Sequence, residues 1–186
     1  MKTIPQSQLL EALEEKVERH LQEAVSTFQN LSGEVLLRAA ENGGWSIAQC
    51  LEHLNTYGQY YHPHLQKALA ASGQKQPDEP FESSWLGAYF IRTMDPVTGT
   101  AKFKAVKQHT PATDLDAPAV VGEFIRQQEE LLQYLRQART ADLNHIRIPI
   151  SLTKWIKLKL GDIFQVLVAH NERHIRQARR NLKAGT

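Results

Sequence analysis

The chain has 186 residues, 41% of them hydrophobic and 23% charged, which suits one globular domain over residues 1–186 whose core needs no covalent staples. A single cysteine, Cys50, excludes an internal disulfide and a cysteine-built zinc site, as expected of a reducing compartment. The net charge of +2 is too small to argue for nucleic acid. The opening residues contain no apolar signal-peptide core, and no apolar run is long enough to span a bilayer. The expectation is a cytoplasmic protein with no nucleic-acid and no membrane partner.

In chain order, the first helical segment covers about residues 5–31. Leu9, Leu10, Leu13, Val17, Leu21, Val25 and Phe28 recur at steps of three and four, the period of a helix with one apolar face. Thr3 is a candidate cap, with Pro5 tolerated in the first turn. The second helix follows "ENGGWS". Ser46 is a good N-cap, and Gln49, three residues on, completes a capping box. Its stripe is Ile47, Cys50, Leu51, Leu54, Tyr57, Tyr61 and Leu65, ending near Ala71, where "SGQKQPDEP" reads as loop.

Residues 83–94 predict a short helix, and the stretch from there to about residue 116 predicts an excursion across the surface. The third long helix runs over about 117–138, with Val121, Phe124, Gln128, Leu131 and Leu135 on one face. "HIRIPISL" alternates as a strand does, but Pro149 and the lack of an evident partner favour a lone extended segment. The fourth long helix spans about 161–182. Four long amphipathic segments without a convincing sheet predict an all-α four-helix bundle with a long connection between its second and third helices.

The last helix carries a chemical question. Its inner face continues from Ile163, Val166 and Leu167 to His170, His174 and Gln177. Histidines at i and i+4 are neighbours about 5–6 Å apart at Cβ, close enough to share one metal ion. The plainer alternative is two hydrogen-bonded core histidines. His53, at the edge of the second helix's stripe, is the best third ligand, and Tyr57 and Tyr60 share its face. His64 returns to nearly the same azimuth but about 16 Å further along the axis. His62 points the other way, His20 ranks well below His53, and His109 and His145 are expected in solvated loops. A zinc-protease H-E-x-x-H motif is excluded, because Glu172 lies two places after His170, about 200° around the helix, where it is expected to face solvent.

The blocks "GGWSIAQCLEHLNTYGQYY" and "LGDIFQVLVAHNERHIRQARR" resemble the DinB/YfiT-like family of metal-binding four-helix bundles, which includes bacillithiol transferases. The resemblance covers nearly the whole chain, except that residues 75–115 carry no matching motif. It implies a divalent metal held by His53, His170 and His174, with nickel or zinc first and iron or manganese next. It also implies a homodimer and chemistry on a small molecule, in some relatives with a low-molecular-weight thiol.

Three imidazoles leave a coordination position open, the pattern of a catalytic site. An ion there acidifies the ligand it binds. Together with the resemblance, this makes the expected activity a metal-dependent thiol S-transferase or hydrolase, with Tyr57 and Tyr60 lining the pocket or serving as core aromatics, and Gln177 orienting a histidine or serving as a partly buried polar residue at the bundle end. The competing expectation is a metal-binding protein without turnover, in a structural or stress-response role. Arg173, Arg176, Arg179, Arg180 and Lys183 read as a solvated helix end favoured by the macrodipole. Lys154, Lys157 and Lys159 around Trp155 offer weak attraction for an anionic substrate.

Overall fold

A computed structural model describes residues 3–41, 43–73, 79–99 and 105–183. Its frame is four long helices: α1 (Gln6–Ser26), α3 (Ile47–Ala70), α5 (Ala117–Gln137) and α6 (Leu160–Lys183). Two short helices, α2 (Gly33–Leu37) and α4 (Trp85–Met94), lie in the connections. The first helix ends earlier than its periodicity implies. After Ser26 the chain tightens into a 3₁₀ turn over Phe28–Asn30, which still buries Phe28. Thr3 does not cap it: Pro5 occupies the cap position, without a side-chain bond.

The other starts follow local chemistry. Ser46 Oγ accepts from the Gln49 amide while Gln49 Oε1 accepts from the Ser46 amide, the reciprocal capping box. Asp116 caps α5 through the Ala119 amide, and Ser84 caps α4 through the Gly87 amide. The buried Asp162 in the first turn of α6 in turn accepts from the amide and hydroxyl of Ser84, pinning α4 onto α6.

The helices are not joined as a simple up-and-down ring. α1 packs against α5 and α6, and α3 packs against the same two. Helices α1 and α3 therefore sit on one diagonal, and α5 and α6 on the other. Two sheets of two strands complete the fold. Strand β1 (Ile4–Pro5) pairs antiparallel with β2 (Pro80–Phe81), and β3 (Arg147–Ile150) with β4 (Thr153–Lys159). The segment around Pro149 is thus not a lone extended stretch. Its partner was hidden because residues 154–157 are all exposed, so β4 lacks the alternation that marks a half-buried strand. Pairing also shifts between Pro149 and Ile150, which leaves Trp155 projecting from the hairpin at 94% exposure.

The core is divided. One apolar cluster includes Leu10, Val17, Leu65, Leu131, Leu135, Ile163 and Phe164. The other includes Ala24, Phe28, Leu51, Leu54, Phe124 and Ile175. Between them every bundle helix contributes buried polar side chains: His20 from α1, His53 and Asn55 from α3, Gln127 and Gln128 from α5, His170 and Asn171 from α6. Burying a leucine contributes about 1.5–3 kcal/mol, whereas a buried polar group without a partner costs free energy. A polar layer across a bundle therefore has to be hydrogen-bonded, and much of this one is. Asn171 donates to Gln128, Gln127 donates to the Asn55 carbonyl, and Asn55 donates to the Val120 carbonyl. Among the described residues, no helix is long and apolar enough to cross a membrane.

Candidate metal centre

Inside the polar layer, α3 and α6 bring three histidines together. His53 lies two turns into α3, at a height set by the Ser46 cap, and is buried. His170 and His174 lie one turn apart on α6, the first buried and the second half-buried. Their ring centroids form a nearly even triangle, with separations of 5.0 Å for His53–His170, 4.6 Å for His53–His174 and 4.7 Å for His170–His174. One ring nitrogen from each lies within 4.8 Å of the other two. The Nε2 atoms of His53 and His170 are 3.2 Å apart.

Hydrogen bonds on the far side of two rings fix which nitrogen faces inward. His53 Nδ1 is 2.6 Å from the main-chain oxygen of His109. A carbonyl only accepts, so Nδ1 carries the proton and Nε2 presents a lone pair. His174 Nδ1 likewise donates to Gln177 Oε1 at 3.1 Å, turning its Nε2 lone pair inward. All three rings are held neutral. Burial lowers the His53 pKa, against the raising effect of its bond to His109. Burial, then His174 and His53, push His170 well below the usual histidine range. Burial, then His53 and Arg173, push His174 down to about 3.

This donor set fits a divalent ion. Metal–nitrogen bonds of about 2.0–2.1 Å at a tetrahedral angle place two ligand nitrogens roughly 3.3 Å apart, close to the 3.2 Å observed between His53 and His170. Three neutral imidazoles with no carboxylate in the group suit zinc, nickel, copper or iron over magnesium or calcium.

Aromatic rings wall the centre. Tyr57 meets His53 and His170 edge-on, with centroids 5.1 and 4.6 Å away. Its phenol is pushed up to about 12, first by burial, and stays protonated. Trp45, the residue before the Ser46 cap, lies 4.8 Å from His53 and 5.8 Å from His174. Nothing in the helical periodicity marked Trp45, because it lies outside the helix. Its place beside the cap was the available signal.

Other expectations are corrected. Tyr60 is not at the centre: it donates to the Ile150 carbonyl and stacks on His64. Seven residues restore azimuth but add about 10 Å along the axis. His109 is not solvated; it is buried and stacks on Tyr57 at 3.8 Å. The connection before α5 therefore dips onto α3 and does not merely cross the surface. Glu172 does not face open solvent. It accepts from His20 Nε2 at 2.8 Å and pairs with Arg176, and these bonds, His20 first, lower its pKa to about 2. His20 thus meets the other side of α6 and not the centre. His62 pairs with Glu130, away from the cluster, and His145 is exposed beside Asp142. The basic end of α6 is partly engaged, with Arg179 paired to Glu23 and Arg173 donating to the Thr93 carbonyl.

The fold and site together are a four-helix bundle in which three inward-facing histidines from two neighbouring helices could hold a metal ion. The chain belongs to the DinB superfamily, whose family model matches residues 16–178. It is similar in fold to YfiT from Bacillus subtilis, described as a probable metal-dependent hydrolase with an unusual four-helix bundle topology. That likeness has a TM-score of 0.54 at 15% sequence identity and covers 96% of this chain and 86% of the other. A comparison with curated protein sequences returned no match.

Proposed function

We propose that the chain is a metal-dependent enzyme of the hydrolase or thiol-transferase type. It holds a divalent ion, zinc or nickel before iron or manganese, on His53, His170 and His174, and acts on a small molecule. The observation that carries this reading is the convergence of three neutral imidazoles, two of them with outward nitrogens already committed to His109 and Gln177. The description of YfiT as a probable metal-dependent hydrolase supports it.

When bound, a divalent ion with three protein ligands supplies Lewis acidity and acidifies whatever takes its open position. The chain's own residues do the rest. Burial keeps the three rings unprotonated and ready to donate lone pairs at neutral pH. The Tyr57 ring packs edge-on against His170 and shapes that side of the centre, while its protonated phenol is held by the Ser151 side chain. Trp45 and Tyr57 exclude water from the rings and offer apolar contact to the substrate. The test is elemental analysis of untagged protein never exposed to a nickel column, followed by ester-hydrolysis, amide-hydrolysis and thiol-transfer screens on metal-loaded protein, with His170→Ala as control. About one equivalent of metal per chain and metal-dependent turnover, both lost in the variant, are expected. Metal without turnover would make this a non-catalytic binding protein, and no metal uptake would overturn the reading.

A further inference from the structure

The connection between α4 and α5 does more than lend one carbonyl to His53. Residues Lys107–His109 form a 3₁₀ turn lying on α3. The Thr56 hydroxyl has one proton and donates it to the His53 carbonyl at 2.8 Å. Its oxygen must therefore accept the contact it makes with His109 Nδ1 at 3.0 Å. His109 thus carries its proton on Nδ1, and its Nε2 lone pair receives the Gln108 side-chain amide at 3.2 Å. That same amide reaches the Ser151 carbonyl at 2.7 Å, and the Ser151 amide donates to the Tyr61 hydroxyl. The Thr56 hydroxyl, the His109 Nδ1–H, the Gln108 amide and the Ser151 amide each meet an acceptor.

The geometry encloses His53 from two sides. Its main-chain carbonyl receives the Thr56 hydroxyl, and its Nδ1–H enters the His109 carbonyl. Thr56 also holds the His109 ring flat against Tyr57, whose edge meets His53 and His170. A carbonyl on a connecting segment is only as well placed as the side chain that anchors it. Here the anchor is a buried imidazole held on α3 by one hydroxyl and one ring face, with Gln108 tying its far nitrogen towards the Ser151 carbonyl.

We propose that Thr56 and the His109 ring form a positioning latch, which docks residues 106–110 on α3 so that the His109 carbonyl orients His53 for metal binding. The latch rests on the three-histidine reading above. It makes the affinity of the centre depend on a connection that contributes no ligand of its own. By reciprocity, the ion tightens the docking of that connection.

The test uses stripped full-length protein at pH 7.5 and zinc as the probe, with affinity read by competition against a chromogenic chelator. Thr56→Val keeps size and shape but leaves His109 Nδ1–H without its acceptor. Loss of such outer partners typically weakens metal binding about 10–100-fold, and that loss is expected in Thr56→Val. Thr56→Ser, which restores the hydroxyl, should bind as the wild type does. Amide hydrogen exchange gives the second readout. Zinc should slow exchange over residues 106–110 in the wild type and far less in Thr56→Val. If Thr56→Val misfolds, His109→Ala, which keeps the carbonyl and removes the ring, should show the same weakening. A merely structural role would lower the thermal midpoint of the metal-free protein and leave zinc affinity unchanged, and that result overturns the latch. Wild-type protein that binds zinc with variants of equal affinity refutes the latch alone. Wild-type protein that binds no zinc refutes the three-histidine reading, and the latch with it.

Discussion

Metal affinity should be nearly independent of pH in a range where a solvent-exposed histidine site would fail. A histidine of pKa 6.5 is about nine-tenths protonated at pH 5.5. Three such ligands would lose roughly a thousandfold in affinity between pH 7.5 and 5.5, because each must shed its proton to bind. In this centre His174 is lowered to about 3 and His170 well below the usual range, so the neutral fraction of both hardly changes over that interval. His53 is lowered as well, so its share of the loss stays below the roughly tenfold of an ordinary histidine. The expected fall is therefore less than about tenfold in total. Zinc titration against a chelator calibrated at each pH, with circular dichroism to confirm folding, measures it. A fall near a thousandfold would refute the claim that burial holds the ligands neutral.

The same shifts predict acid sensitivity of the metal-free fold. His20, His53, His62, His109, His170 and His174 all have folded pKa values below 6.5, so below about pH 6.5 the unfolded chain binds more protons. Stability is then lost as pH falls, by up to about 1.4 kcal/mol per pH unit for each group. Urea midpoints of stripped protein should be flat above pH 7.5 and drop towards pH 5, and an unchanged midpoint would contradict this. Ser46→Ala removes the side-chain half of the capping box, the Oγ that accepts from the Gln49 amide, and should cost about 1 kcal/mol in urea unfolding. Gly58→Ala would set a Cβ 1.8 Å from Gln127 Oε1, inside the buried layer, so about 1–3 kcal/mol of destabilisation is expected. Trp155→Ala, at a 94% exposed position, should leave the midpoint within about 0.5 kcal/mol.

What the sequence made legible follows from helical periodicity. A stripe that runs Ile163, Val166, Leu167 and then meets His170 and His174 announces inward histidines, and Ser46 with Gln49 announces where α3 starts. The structure brings these two histidines and His53 together. What stayed hidden depends on which elements become neighbours. Azimuth alone grouped Tyr60 with His53, although their distance along the axis separates them. The helical wheel alone turns Glu172 towards solvent, since nothing local shows that α1 brings His20 to that side of α6. His109 sits in a segment without periodicity, so only the tertiary fold shows that it is buried against Tyr57.

The diagonal arrangement of the bundle bears on how the chain is made. Synthesis delivers α1 and α3 first, yet the principal neighbours of both are α5 and α6. A nascent chain that ends before residue 117 presents two apolar stripes with neither bundle partner yet made. Two of the three histidines arrive only with α6, so a fragment truncated before that helix holds a single one. Retention of one equivalent of metal would therefore report that translation has passed the last helix and that both halves of the chain have closed on each other.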